Sequence, residues 1–359
     1  MTLGLQERES AIGRRGTWAA LVAVAVGVGA FASGLGSGES PRTFAALIAS
    51  WLFFAGIAAG ALAFVAFFRI VDAGWARPLV SGGAGLARFA PGALVVLVVI
   101  LAGARSAPWL APGTDGSAWL RLWRLAAREI GLAFILFAVA RRLLRGATGG
   151  ARPASRSLAV TYCVIYAVVL SVWAFDFVLG PDPTFESTII GPYVFMTAFI
   201  AGAGLLTLLA LLRGSLSEAQ RRDVGALILA LSIFWAYLFW SQYLTIWYGD
   251  LPQETVFALR RAQGGWGPVV LAVIGLVFAV PFVMLLSARG RRSARVLKSV
   301  LVIQLVGLWL NCHLLIAPSL SAAGTSPVNL RDLLIALGML GGFVLSSAPR
   351  RPVSNLAAT

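Results

Sequence analysis

Residues 44–70 read FAALIASWLFFAGIAAGALAFVAFFRI, twenty-seven residues in which the sole charge, Arg69, sits next to the end. At 1.5 Å per residue this run makes a helix of about 40 Å, longer than a hydrocarbon core of ~30 Å. Lipid offers backbone N–H and C=O groups no partner, so a spanning segment is a helix or a strand of a closed barrel, and this length selects the helix. Similar runs recur along the chain. Apolar stretches bounded by Arg, Pro, Gly or Asp start near Thr17, Phe44, Pro91, Leu120, Leu158, Glu186, Val224, Trp266, Leu297 and Leu330. They end near Gly36, Ile70, Ala107, Leu143, Leu179, Leu212, Tyr248, Arg289, Ala317 and Ser347, which predicts ten spans.

Composition agrees with that reading. Of 359 residues 59% are hydrophobic and 12% charged, with a mean hydropathy of +0.87, outside the range of soluble domains. The expected fold is all-α and polytopic: an N-terminal tail 1–16, a single transmembrane domain 17–347 and a C-terminal tail 348–359. Two cysteines and one histidine cannot supply a four-ligand zinc site, a cubane cluster or paired haem ligands. No haem or iron–sulfur cluster is therefore expected in this chain, and any electron-carrying metal belongs to another subunit. Cys163 and Cys312 read as small packing residues.

Charge sets the expected orientation. Twenty-one of the 29 basic residues fall in the two tails and the loops after the even-numbered spans, the side retained in the cytoplasm. Glu39, Asp115, Glu129, Asp176, Asp182, Glu186, Asp250, Glu254 and Asp332 fall on the other side. Both termini are thus expected in the cytoplasm, and the net charge of +15 reads as an orientation signal facing anionic lipid headgroups. Nucleic acid is not an expected partner, because no basic segment outside the membrane is long enough to fold. Arg14 to Ser33 has some features of a cleavable signal, but the Arg pair lacks a twin-arginine context and the segment reads better as the first span. Residues 72–90 are expected to form a short surface helix around Trp75 and Leu86.

Polar side chains inside apolar helices are costly and are therefore candidates for function. On the seventh span Tyr237, Ser241, Thr245 and Tyr248 recur at helical spacing, with Gln242 beside them. On the fifth, Tyr162, Tyr166, Trp173 and Asp176 fall within one arc; on the sixth, Glu186, Tyr193 and Thr197 do the same; on the fourth, Arg121, Arg124 and Arg128. Set against function are plainer roles: interhelical hydrogen bonding for Ser, Thr and Tyr, interface anchoring for outer aromatics, a structural ion pair for Arg128, Glu129 and Asp176, and a satisfied core histidine for His313.

At the outer end of the seventh span, FWSQYLTIWYGDLPQET (Phe239–Thr255) resembles the SQ(Y/F)xxIWYxNxPEET block of quinone-binding subunit 2 of alternative complex III, a quinol:cytochrome c oxidoreductase. AFDFVLGPDPTFESTIIGPY (Ala174–Tyr193), PFVMLLSARGRR (Pro281–Arg292) and LWLNCHLLIAP (Leu308–Pro318) resemble further family segments, and the likeness spans roughly residues 45–320. Departures are Phe177 for Trp, Gln253 within the usual PEET, Leu308 where Arg precedes Trp309, and Asn311 where an acid is common. The last two weaken any ion pair or proton path drawn through the ninth span.

The resemblance implies a relative of the NrfD/polysulfide-reductase membrane subunits, with two four-helix bundles flanked by one helix at each end. It implies a bacterial cytoplasmic (inner) membrane, quinone or quinol as a ligand, and as partners a sibling NrfD-like membrane subunit, an iron–sulfur subunit and multihaem c-type cytochrome subunits on the outer side. Quinol oxidation needs a proton acceptor and an apolar slot for the isoprenoid tail. Asp176, His313 and Glu254 are the candidate proton-handling groups; Ser241, Gln242, Tyr243, Trp247, Tyr248 and Arg128 are the candidate quinone pocket or its support. The rival expectation is a non-catalytic scaffold docking the redox subunits. A secondary transporter would need broken helices with a midplane charge, and none accompanies Pro192 or Pro281.

Overall fold

The computed structural model describes residues 2–80, 83–103, 119, 121–148, 155–182, 185–263, 265–322 and 324–347. Among these the chain is all-α, with eight helices long and apolar enough to cross a membrane, the architecture of a multi-pass membrane protein. The helices are α1 (Thr2–Gly36), α2 (Ser40–Ile70), α3 (Ala90–Gly103), α4 (Leu122–Thr148), α5 (Arg156–Ala174), α6 (Ile190–Leu212), α7 (Glu218–Tyr248), α8 (Pro252–Ala262), α9 (Trp266–Leu286), α10 (Ala294–Leu320) and α11 (Leu330–Ser347). The shorter α3, the charged α4 and the amphipathic α8 stand outside the eight. The expected third-span end near Ala107, Asp115, the expected fourth-span start at Leu120 and the tail 348–359 lie outside the described residues.

Helix starts follow local chemistry. Ser217 and Gln220 form a reciprocal capping box at α7, Ser155 and Ser293 cap α5 and α10, and Asn329 and Asp332 exchange backbone-to-side-chain bonds of 2.9 and 3.0 Å at α11. The sixth span starts later than its sequence suggests. Glu186 lies ahead of α6 and is exposed, so it does not share a helical face with Tyr193 and Thr197; the segment 185–189 is needed to carry the chain over from α5. The 72–90 connection is a string of short turns, Gly74–Ala76, Arg77–Val80, Gly83–Leu86 and Ala87–Phe89, instead of one helix. Asp72 at φ 52°, with Gly74, Gly83 and Gly85 following it, disfavours a continuous helix.

α2 is almost wholly buried and sits at the centre. It packs with α3, α4 and α5 on one side, and with α6 and α10 on another, where α7 and α9 complete a second group. α1 pairs lengthwise with α11, and that pair leans on α2. Small residues allow the closest approach: a Cβ on Gly60 would strike the Ala198 carbonyl, and one on Gly202 would strike the backbone of Gly60 and Ala61. This is the small-xxx-small crossing of membrane helices, from Gly56/Gly60 against Ala198/Gly202.

Two prolines within helices leave carbonyls without their usual donors, and side chains supply replacements. Pro281 follows a π-turn at Gly275–Ala279, and Gln304 Nε2 donates to the freed Val277 carbonyl at 3.1 Å while also donating to Ser232 Oγ at 2.8 Å. Pro318 lies inside α10 and leaves the Leu314 carbonyl free for a donor from α8. A second π-turn, Phe175–Leu179, ends α5 and carries Asp176.

Candidate functional site

The buried charged side chains among the described residues are Arg42, Glu129, Asp176, Asp182, Arg261 and Asp332, with His313 beside them. All belong to one end of the molecule: the starts of α2, α4 and α11, the ends of α5 and α10, and α8. They fall into three groups.

In the first, Arg128 on α4 donates Nε and Nη2 to Asp176 Oδ2 at 2.9 and 2.7 Å. Trp119 Nε1 donates to Asp176 Oδ1 at 2.7 Å, and the Arg128 guanidinium lies 3.9 Å over the Trp119 ring. Asp176 is thus closed in by its partners. Glu129, also fully buried, stands 3.8 Å from Arg128 Nε.

The second group was not singled out from sequence. Asp182 accepts from Arg260 Nη1 at 2.5 Å and from the Ser319 hydroxyl, with Arg261 Nη1 3.6 Å away. Arg261 donates to the carbonyls of Leu314, Leu315 and Phe257 at 3.1, 2.6 and 3.0 Å and to Ser319 Oγ at 3.0 Å. Its guanidinium stacks on Phe257, which stacks in turn on Phe185. Burial pulls the Arg261 pKa down to about 9, opposed by the charge of Asp182, so the side chain keeps its charge at neutral pH. The group ties the loop after α5, helix α8 and the proline-interrupted end of α10 together. The sequence signal was present in the Arg260-Arg261 pair on an amphipathic segment, but only the turn at Asp250 (φ 49°) folds α8 back to meet Asp182. Glu254, in the first turn of α8, has no ion pair among the described residues.

In the third group Asp332 Oδ2 accepts from Arg42 Nη2 at 2.9 Å and stands 3.7 Å from His313 Nε2. His313 Nε2 lies 3.0 Å from the Pro327 carbonyl, which can only accept, so Nε2 carries the hydrogen. The imidazole lies beside Trp309 and Trp266 at centroid distances of 5.7 and 5.9 Å. Arg42 also reaches the Ser326 carbonyl at 2.7 Å.

The seventh-span candidates separate. Gln242 is buried and its Oε1 accepts from Ser187 at 2.7 Å. Ser241 bonds back to the Tyr237 carbonyl, and Thr245 to those of Ser241 and Gln242, so these hydroxyls are occupied within their own helix. Trp247 and Tyr248 are 78% and 86% exposed. Tyr243 alone of the six pocket candidates lines the apolar cleft of about 790 Å³ between α7, α8 and α9, beside Trp235, Phe239, Trp240, Pro268 and Phe278. Asp176, His313 and Glu254 are not among the residues lining that cleft.

Tyr193 donates to Asn311 Oδ1 at 2.5 Å, and Trp235 Nε1 donates to Thr197 at 3.1 Å, so the polar residues of α6 face α7 and α10. No protein-family model matches the chain, and no characterised protein matches it.

Proposed function

We propose that the chain is an integral subunit of a quinol:cytochrome c oxidoreductase of the alternative complex III type, with ten spans in two four-helix groups flanked by α1 and α11, and with both termini on the cytoplasmic side of a bacterial inner membrane. The observation that carries the proposal is the Phe239–Thr255 block. In support, this block forms the end of α7, the turn at Asp250 and the start of α8, next to a cleft whose apolar lining suits an isoprenoid tail and whose Tyr243 offers one hydroxyl. The cleft lies toward the end that carries the buried acids, where quinol protons would leave. One histidine and two cysteines are too few for paired haem ligands or a four-cysteine cluster, so in this reading electrons pass to an iron–sulfur subunit and multihaem cytochromes on that side. The sibling NrfD-like subunit packs alongside.

One observation favours a second reading, a scaffold without an active site. Asp176, Asp182 and His313 are each held by close partners, and the exposed Trp240, Trp247 and Tyr248 at the end of α7 suit docking as well as lipid. Photoaffinity labelling with an azidoquinone separates the two. Label on peptides from α7 and α9 supports quinone binding; label confined to a sibling chain supports the scaffold.

A further inference from the structure

Glu129 is the acid that the Arg128–Asp176 pair leaves over. Its side chain is enclosed, and neither carboxyl oxygen meets a donor among the described residues. Arg128 directs Nε and Nη2 to Asp176 at 2.9 and 2.7 Å and approaches Glu129 no nearer than 3.8 Å. Asp176 is the second carboxyl gathered at the same Arg128, and as a carboxylate it can only accept.

Among the described residues, the elements packed around α4 bring no second cation. α3 is uncharged, α2 carries Arg42, which is bonded to Asp332, and Arg69 at its far end, and the 83–89 turns carry Arg88, also at the far end. At the start of α4 the Arg124 guanidinium lies 5.1 Å over the Trp123 ring and Arg121 is exposed, while Arg156 lies at the far end of α5. From α5, Tyr162 and Tyr166 donate their hydroxyls to the carbonyls of Ala59 and Phe195. One cation therefore faces two carboxyls. An ionised carboxylate enclosed without a donor is strongly disfavoured, and two carboxyls sharing one such site retain a proton between them.

We infer that Glu129 and Asp176 form a proton-binding site. One proton sits on Glu129 and is donated to Asp176, which stays paired with Arg128 and Trp119. The bound proton gives the Glu129 carboxyl the hydrogen bond it otherwise lacks, while Arg128 and Trp119 hold the oxygens of Asp176. The inference goes beyond the quinol reading: the pair holds its proton whether or not the chain serves a quinone enzyme.

Infrared spectroscopy of the purified protein at neutral pH tests it. A protonated-carboxyl C=O band is expected, shifting in D₂O, and absent from both Glu129→Gln and Asp176→Asn; in the latter, Glu129 ionises against the freed Arg128. Carbon-13 labelling of glutamate side-chain carboxyls in the unaltered protein gives a readout that needs no variant to fold. The band must shift with that label, because Glu129 is the buried glutamate among the described residues. A spectrum without the band, or a band indifferent to glutamate labelling, overturns the assignment.

Discussion

Pro318 has no N–H to give the Leu314 carbonyl, and Arg261, from a helix more than fifty residues earlier, gives it one at 3.1 Å. The same guanidinium serves Leu315, Phe257 and Ser319 and stands beside Asp182. Arg261→Met strands both the carbonyl and part of the counter-charge of Asp182, and is expected to destabilise the protein by about 3–5 kcal/mol, read as a fall in the thermal unfolding midpoint in detergent. Adding Pro318→Ala to Arg261→Met should recover part of that loss, because an alanine at this position restores the helical N–H. A double variant no more stable than the single one would contradict this role. Arg128 and Asp176 were legible in sequence because their helical positions placed both near one membrane boundary. Asp182, Arg260, Arg261 and Ser319 were not, since their meeting depends on a turn and on a proline whose consequence appears only when α8 lies against α10.

At the scale of helices, the apolar runs foretold most elements because length and hydropathy alone define a spanning helix. Their interruptions were less visible. A π-turn adds a residue to a turn without a composition signature, and the start of α6 is set by the loop from α5 instead of by hydropathy. The α2–α6 crossing has a testable cost. Gly60→Leu places a side chain where a Cβ already collides with the Ala198 carbonyl, and is expected to destabilise by about 1–3 kcal/mol or more. Ala63→Gly, on the same buried helix, removes a methyl but creates no clash and should leave that crossing intact. The comparison is made by thermal unfolding, and equal effects would argue against a crossing fixed by small residues. Gln304→Leu, which abandons both Val277 and Ser232, is expected to loosen α9 at its π-turn. Increased amide exchange within residues 275–281 would register it.

For the whole molecule, the asymmetry of charge is the organising feature. Arg and Lys gather at the ends of α2, α4, α6 and α9, while the buried acids and their partners gather at the opposite end. The sequence told these ends apart by loop counting, but it could not show that the acidic end is tied internally by three separate ion-pair groups. The orientation follows as a prediction. An impermeant maleimide added to intact cells should label Thr188→Cys, exposed at the acidic end, and spare Ser215→Cys, exposed at the basic end; the reverse pattern inverts the proposed topology. The two native cysteines lie within helices and provide a low background. The proposed function rests on company: under it, a chain with one histidine and two cysteines relies on other subunits to carry electrons. Affinity purification of the chain from its own membrane tests that most directly. The account predicts co-elution of a multihaem c-type cytochrome and an iron–sulfur subunit, with quinol-dependent cytochrome c reduction in the eluate. A chain that elutes free of haem and of any redox subunit, under conditions that preserve other respiratory complexes, would contradict it.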